Sequence, residues 1–174
     1  MMWPFRRKRQ HLTSDAAARM FSHEIKVGME PYTLALDRFA ITHDDDNELK
    51  KVMGELWIFN ITMLDYSWSI IEFPETLRDK ILPMIVVGYA KVDHKHYVER
   101  SRYYGEGISS VASETATIAA GDALADLVDA EYFGYKQPNG KKLFSGAVSA
   151  LAIKTMQKLG DLTFDLQLKY EIVP

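Results

Sequence analysis

The strongest pattern in the chain lies between Leu49 and Ile71. Leu49, Met53, Leu56, Trp57, Ile61, Leu64, Trp68 and Ile71 recur at spacings of three, four and one, which gathers them on one face of a helix. Ile58, Phe59, Met63, Tyr66 and Ile70 add apolar surface on the other sides. The spacing predicts a helix over 48–72 that is buried nearly all round, at the domain centre or at a subunit interface. The acidic run HDDDNE ahead of it supplies side-chain oxygens and negative charge to the helix start.

Phe73 and Pro74 end this helix, and Pro74 suits the first turn of the next, expected from Glu75 towards Tyr104 with a kink at Pro83. GEGISS reads as a turn before the Ala-rich helical stretch SVASETATIAAGDALADLVDAEYF, and GYKQPNGKK reads as a loop. Leu143 to Leu159 is again helical and is expected to stop at Gly160. At the front of the chain, Thr13, Ser14 and Asp15 offer caps to a helix running to Gly28. Residues 31–42 fit a strand through Tyr32, Leu34 and Leu36, or a helix through Leu36, Phe39 and Ala40, and are read as helix.

The ending has a different period. In DLTFDLQLKYEIV, the residues Leu162, Phe164, Leu166, Leu168, Tyr170 and Ile172 alternate strictly with polar ones, the pattern of a half-buried strand over 161–173. A single strand needs a partner, either from 31–42, from elsewhere in the chain or from a second subunit. The expected fold is mainly α: a single-domain bundle of about five helices with a C-terminal β-strand, leaving room for a small α+β element. Residues 1–12 are expected to be a flexible basic, aromatic tail and 13–174 the domain.

Composition narrows the chemistry. The absence of cysteine excludes disulfides, thiolate nucleophiles and cysteine-ligated metal centres. The apolar run LWIFNITMLDYSWSII is interrupted by Asn60 and Asp65 and is too short to span a membrane, and no apolar run follows the basic start as a secretory signal requires. A cytoplasmic protein without an export signal is therefore expected, with room for a place at the inner face of a membrane. The net charge is −3, from 21 basic and 24 acidic residues. Four of those bases and none of the acids fall in the first ten residues, leaving 17 against 24 in the body. An acidic body has no general affinity for nucleic acid, so specific nucleic-acid binding is not expected. Trp3, Phe5, Arg6, Arg7, Lys8 and Arg9 instead combine apolar anchors with cations, the two contributions that draw a segment to an anionic membrane surface or an acidic protein partner.

No complete catalytic motif is present. The glycines of GYKQPNGKK are spaced wrongly for a phosphate loop, and the acids at 44, 46, 48 and 55 lack the glycine a calcium loop needs at its turn. His43-Asp44 has no further ligand to complete a metal site. Asp65 is the acid that asks for an explanation, because a carboxylate inside an apolar helix must be paired, hydrogen-bonded or placed at a pocket. Glu72 follows it on nearly the same face, and Asp93, His96, Glu99 and Arg100 share one surface of the following helix. The leading expectation is a non-enzymatic interaction or scaffold protein that self-associates as a homodimer, with neither cofactor nor metal. Its alternative is a small metal-dependent or acid–base hydrolase using Asp65, Glu72, His96 and Glu99.

Overall fold

The structure, a computed structural model, describes residues 9–39, 46–109, 115–132 and 134–173. It is a mainly α bundle of six helices with a pair of short strands. Strand β1 (Gln10–Thr13) leads into α1 (Ser14–Phe39), followed by α2 (Asp46–Ile70), α3 (Glu75–Pro83), α4 (His94–Ser109), α5 (Ala116–Glu131), α6 (Gly140–Lys169) and strand β2 (Tyr170–Val173). Trp3, Phe5, Arg6, Arg7, Lys8 and the His43-Asp44 pair lie outside the described residues.

Helix α2 is the axis of the bundle and packs against all five other helices. Leu56, Ile58, Phe59, Ile61, Met63, Leu64 and Trp68 are buried on several of its faces. Most of the apolar surface that pointed to a subunit interface is thus covered within one chain, while Ile70 and Ile71 at its end stay exposed. Trp68 stacks on Phe73 at 4.7 Å and meets Phe21 edge-on at 5.0 Å, while its indole N–H donates to Thr163 Oγ1 at 3.1 Å. Those three contacts tie α1, the end of α2 and α6 together around an aromatic centre.

Helix α1 begins as its sequence suggests, with Thr13 Oγ1 accepting the Ala16 N–H at 3.1 Å. It continues through Gly28 and Pro31, so residues up to Phe39 are helical and cannot partner a C-terminal strand. Gly28 is a contact point rather than a stop: a Cβ there would sit 2.9 Å from Thr155 Oγ1 of α6. Gly121 does the same for α5, where a Cβ would lie 2.2 Å from Ser149 Oγ.

Pro83 changes the character of the expected long helix, which is interrupted only further on, at residues 90–93. Lacking an N–H, it ends the regular ladder of α3, and Met84–Tyr89 continue as a π-helical turn closed by Ala90 N–H to Ile85 O at 2.8 Å. Lys91 then takes a left-handed φ of 53° before α4 starts. That helix runs through Gly105 and Gly107 to Ser109, where a turn was expected, because Tyr104 and Ile108 continue its buried face.

The expected strand over 161–173 is a helix for most of its length. Helix α6 passes Gly160 and ends at Lys169, and only Tyr170–Val173 are extended. Their partner is β1, paired in parallel with Gln10 opposite Tyr170 and Thr13 opposite Val173, and Ser14 Oγ donates to Val173 O at 3.1 Å. Residues 10–12, assigned to the tail from sequence, therefore belong to the folded unit. No helix among the described residues is long and apolar enough to cross a membrane.

Candidate functional site

The most elaborate polar arrangement is centred on Glu55. This residue sits on α2 among the core positions Val52, Leu56 and Phe59, and is only 1% exposed. An unpartnered carboxylate there would be costly, and four donors answer it. His96 Nε2 lies 2.9 Å from Oε1, Arg100 Nε donates to the same oxygen at 3.2 Å, and the Tyr132 hydroxyl donates to it at 3.1 Å. The Tyr104 hydroxyl donates to Oε2 at 3.3 Å. His96, Arg100 and Tyr104 stand four residues apart on α4, so one helix face delivers three of the donors; Tyr132, just past α5, delivers the fourth.

Arg100 also bonds Glu131 through Nη2, so its guanidinium joins α2, α4 and α5. Burial works against its charge, but the hydrogen bond to Glu131 and the charges of Glu55 and Glu131 prevail and hold its pKa above the ordinary arginine value. Burial raises the pKa of Tyr104 and Tyr132, and the neighbouring Glu55 charge raises both further. Asp93 caps α4, accepting the His96 N–H at 3.0 Å.

This cluster forms the floor of an open cleft of about 660 Å³. Lys50, Lys51 and Gly54 of α2 line one wall, and Ala90, Lys91 and Asp93 of the linker line another. The π-helical turn and the left-handed Lys91 lead directly into that second wall.

Asp65 occupies a separate place. It forms a two-pronged ion pair with Arg78 of α3, Nε to Oδ1 at 2.5 Å and Nη2 to Oδ2 at 2.8 Å. The pair lines a cavity of about 580 Å³ together with Thr62, Tyr66, Ser101 and Arg102. Asp65 is therefore both internally paired and at a cavity wall. Glu72 lies beyond the end of α2, exposed, with a left-handed φ of 53°. Glu99 approaches Lys95 at 3.9 Å, and both side chains are exposed.

The four acid–base candidates are thus not brought together. His96 belongs to the Glu55 cluster, Asp65 to the Arg78 cavity, and Glu72 and Glu99 to the surface. Of the group predicted to share one surface of α4, Asp93, His96 and Arg100 line the same cleft and Glu99 does not. Glu55 was missed as a centre. Its signal was the buried-face position on α2, and the signal of its partners was the four-residue spacing of His96, Arg100 and Tyr104. No group of three or more histidine, aspartate or glutamate side chains among the described residues is arranged to hold a metal ion. Arg9, the one described member of the predicted anionic-surface set, is exposed beside β1 and lines a shallow pocket with Leu77, Tyr170 and Glu171.

A third feature is apolar. Ser67, Ile70 and Ile71 from the end of α2, Thr117 of α5, and Ile153 and Met156 of α6 enclose a groove of about 330 Å³, and no charged residue lines it among the described residues. Ile70 is 58% exposed and Ile153 45%. No protein-family model, curated protein or solved structure matches this chain.

Proposed function

We propose that this protein is a non-enzymatic helical interaction or scaffold protein that acts as a homodimer, with the uncharged groove between α2, α5 and α6 as its self-contact. The observation that carries this reading is the cluster of exposed isoleucines around a groove whose described lining residues are all uncharged. A twofold contact sets a patch against its own copy, so any charged residue near the axis meets its own sign. In a chain of net charge −3, an uncharged apolar face is the surface best suited to that arrangement.

The interior supports a binding role over turnover. Among the described residues, Ser22 Oγ is the sole buried side-chain polar atom without a hydrogen-bond partner. Glu55 already accepts four bonds, three at Oε1 and one at Oε2, and each donor that surrounds it is a side chain of the protein itself. A hydrolase built on Asp65, Glu72, His96 and Glu99 would need those groups at one site, and their separation weighs against it.

The tail offers a second contact. Trp3, Phe5, Arg6, Arg7, Lys8 and Arg9 carry the chemistry for an anionic membrane surface, which would hold the protein at the cytoplasmic face. Vesicles containing anionic lipid should bind the full chain and release a form lacking residues 1–9.

Self-association is tested by the solution mass at tens of micromolar, for the native chain and for Ile70→Asp and Ile153→Asp. A dimer that becomes a monomer in both variants supports the reading. A monomeric native chain overturns it, and a dimer indifferent to both substitutions places the contact elsewhere.

A further inference from the structure

We propose that the Glu55 cleft is a binding site for a small phosphate-bearing anion, held by the ammonium groups of Lys50, Lys51 and Lys91. The inference starts from which charges in the cleft are already engaged. Glu55 is engaged by its four donors, Glu131 is bonded to Arg100, and Asp93 caps α4. Among the described residues, every acid lining the cleft therefore has a hydrogen-bond partner inside the protein. The three lysines lining it have no ion-pair partner among the described residues, although the chain as a whole is acidic. What the cleft leaves for a ligand is positive charge.

The backbone keeps the space open. Gly54 lies inside α2, between Lys50 and Lys51 on one side and Glu55 on the other, and a Cβ on it would find no atom within 4 Å. Glycine weakens a helix interior, and no packing against Gly54 requires it; its effect is to leave the helix surface bare where a ligand would approach. Across the cleft, the π-helical turn and the left-handed backbone at Lys91 (φ 53°) present the third ammonium. Non-glycine residues in that conformation are strained, and such strain concentrates at ligand clamps. A volume of about 660 Å³ falls within the range for small-molecule sites.

The engaged groups also select the type of anion. A carboxylate is best matched by the planar fork of an arginine, but Arg100 already commits Nε to Glu55 and Nη2 to Glu131. The available donors are ammonium point charges, which suit the multiply charged, non-planar phosphate group. Buried Glu55 bonds both Arg100 and His96 and so fixes their positions at the cleft.

The test is calorimetric titration of the full chain with pyrophosphate, inorganic phosphate and citrate at constant ionic strength. Saturable binding of pyrophosphate is expected, tighter than that of citrate. Lys51→Ala and Lys91→Gly should each weaken it by about tenfold, the scale of one lost charge-assisted bond. Lys91→Gly is chosen because glycine accepts the left-handed backbone, so the ammonium is removed without straining the fold. Gly54→Leu retains every charge but fills the cleft, and should weaken binding to a similar degree. Lys154→Ala, on the exposed side of α6, should leave it unchanged. Absence of saturable pyrophosphate binding overturns the proposal, as does citrate binding equally tightly. An equal loss in Lys154→Ala also overturns it, by showing diffuse surface attraction. The groove variants Ile70→Asp and Ile153→Asp should retain anion binding, so the outcome here is separable from that of the dimer.

Discussion

Replacing Glu55 tests whether one buried carboxylate holds α2, α4 and α5 in register. Glu55→Ala removes the acceptor of four bonds from a site that is 1% exposed. Breaking a buried ion pair by deleting one partner costs about 3–5 kcal/mol. Arg100 keeps its bond to Glu131, and His96, with a side chain 44% exposed, can turn to water, so the lower end of that range applies. The expected loss is about 3 kcal/mol. Glu55→Gln retains the shape and one acceptor oxygen but halves the strength of each charge-assisted bond, and its amide faces donors; about 2 kcal/mol should be lost. Urea unfolding reads both values as a fall in midpoint at constant slope, on the order of 1 M for the alanine form. Arg100→Met combined with Glu55→Ala should cost at least about 1 kcal/mol less than the two single changes added together, because the double variant no longer leaves one charge buried without the other. A glutamine variant within about 0.5 kcal/mol of the native chain, or additive costs in the double variant, would refute the argument that this cluster couples the three helices.

Three further outcomes follow from single features. Gly54→Ala should raise stability by roughly 0.5–1 kcal/mol, since the added methyl meets nothing and removes a helix-weakening glycine; a loss measured by thermal unfolding would show that the helix surface there is not open. Burial raises the pKa of Tyr32, Tyr97, Tyr104, Tyr132 and Tyr135, with the Glu55 charge adding to it at Tyr104 and Tyr132. A raised folded-state pKa gives stability that is complete below the ordinary tyrosine value, about 10, and is lost as pH climbs beyond it, so ultraviolet titration should show these hydroxyls ionising together with unfolding. Smooth ionisation without unfolding would contradict it. A chain starting at Gln10 should unfold at the same midpoint as the native one, whereas a start at Ser14 removes β1, leaves β2 without a partner and should lower it.

The bundle was legible where one period dominated. The stripe from Leu49 to Trp68 gave the central helix and its all-round burial, and Phe73-Pro74 gave its end. Gly28, Gly105 and Gly107 misled because a glycine read alone signals a stop, whereas α1 and α4 are carried through them by buried residues on both sides, Ile25 and Met29 in one helix and Tyr104 and Ile108 in the other. The site shows a similar division. Asp65 drew attention because its neighbours are all apolar, and it does have an internal partner. Glu55 follows Lys50 and Lys51 closely, so it resembles the exposed start of a helix. Its position on the buried face between Val52 and Phe59 and the four-residue spacing of His96, Arg100 and Tyr104 were the available signals, and the packing of α4 on α2 joins them.

The C-terminal segment exposes the competition between periods most sharply. Strict alternation at Leu162, Phe164, Leu166 and Leu168 favours a strand, yet the structure continues α6 to Lys169. Its inward positions are Leu159, Thr163 and Leu166, at helical spacing, with Thr163 bonded back to Leu159 O at 2.7 Å and accepting from Trp68. Phe164 and Leu168, which the strand would have buried, are 62% and 56% exposed. Extending an existing helix adds one hydrogen bond per residue without a new nucleus, while a strand of that length would need a partner longer than the four residues of β1. The polar Thr163 is accepted inside because the indole N–H needs an acceptor there. Phe164→Glu with Leu168→Lys therefore replaces two outward apolar groups by a pair in the favourable i,i+4 order. Stability should stay within about 0.5 kcal/mol of the native chain or rise slightly. If the alternating face were instead buried, the same double change would place two charges in an apolar layer and cost several kcal/mol. Chemical unfolding distinguishes the two outcomes directly, and a loss above about 2 kcal/mol would refute the helical assignment of this segment.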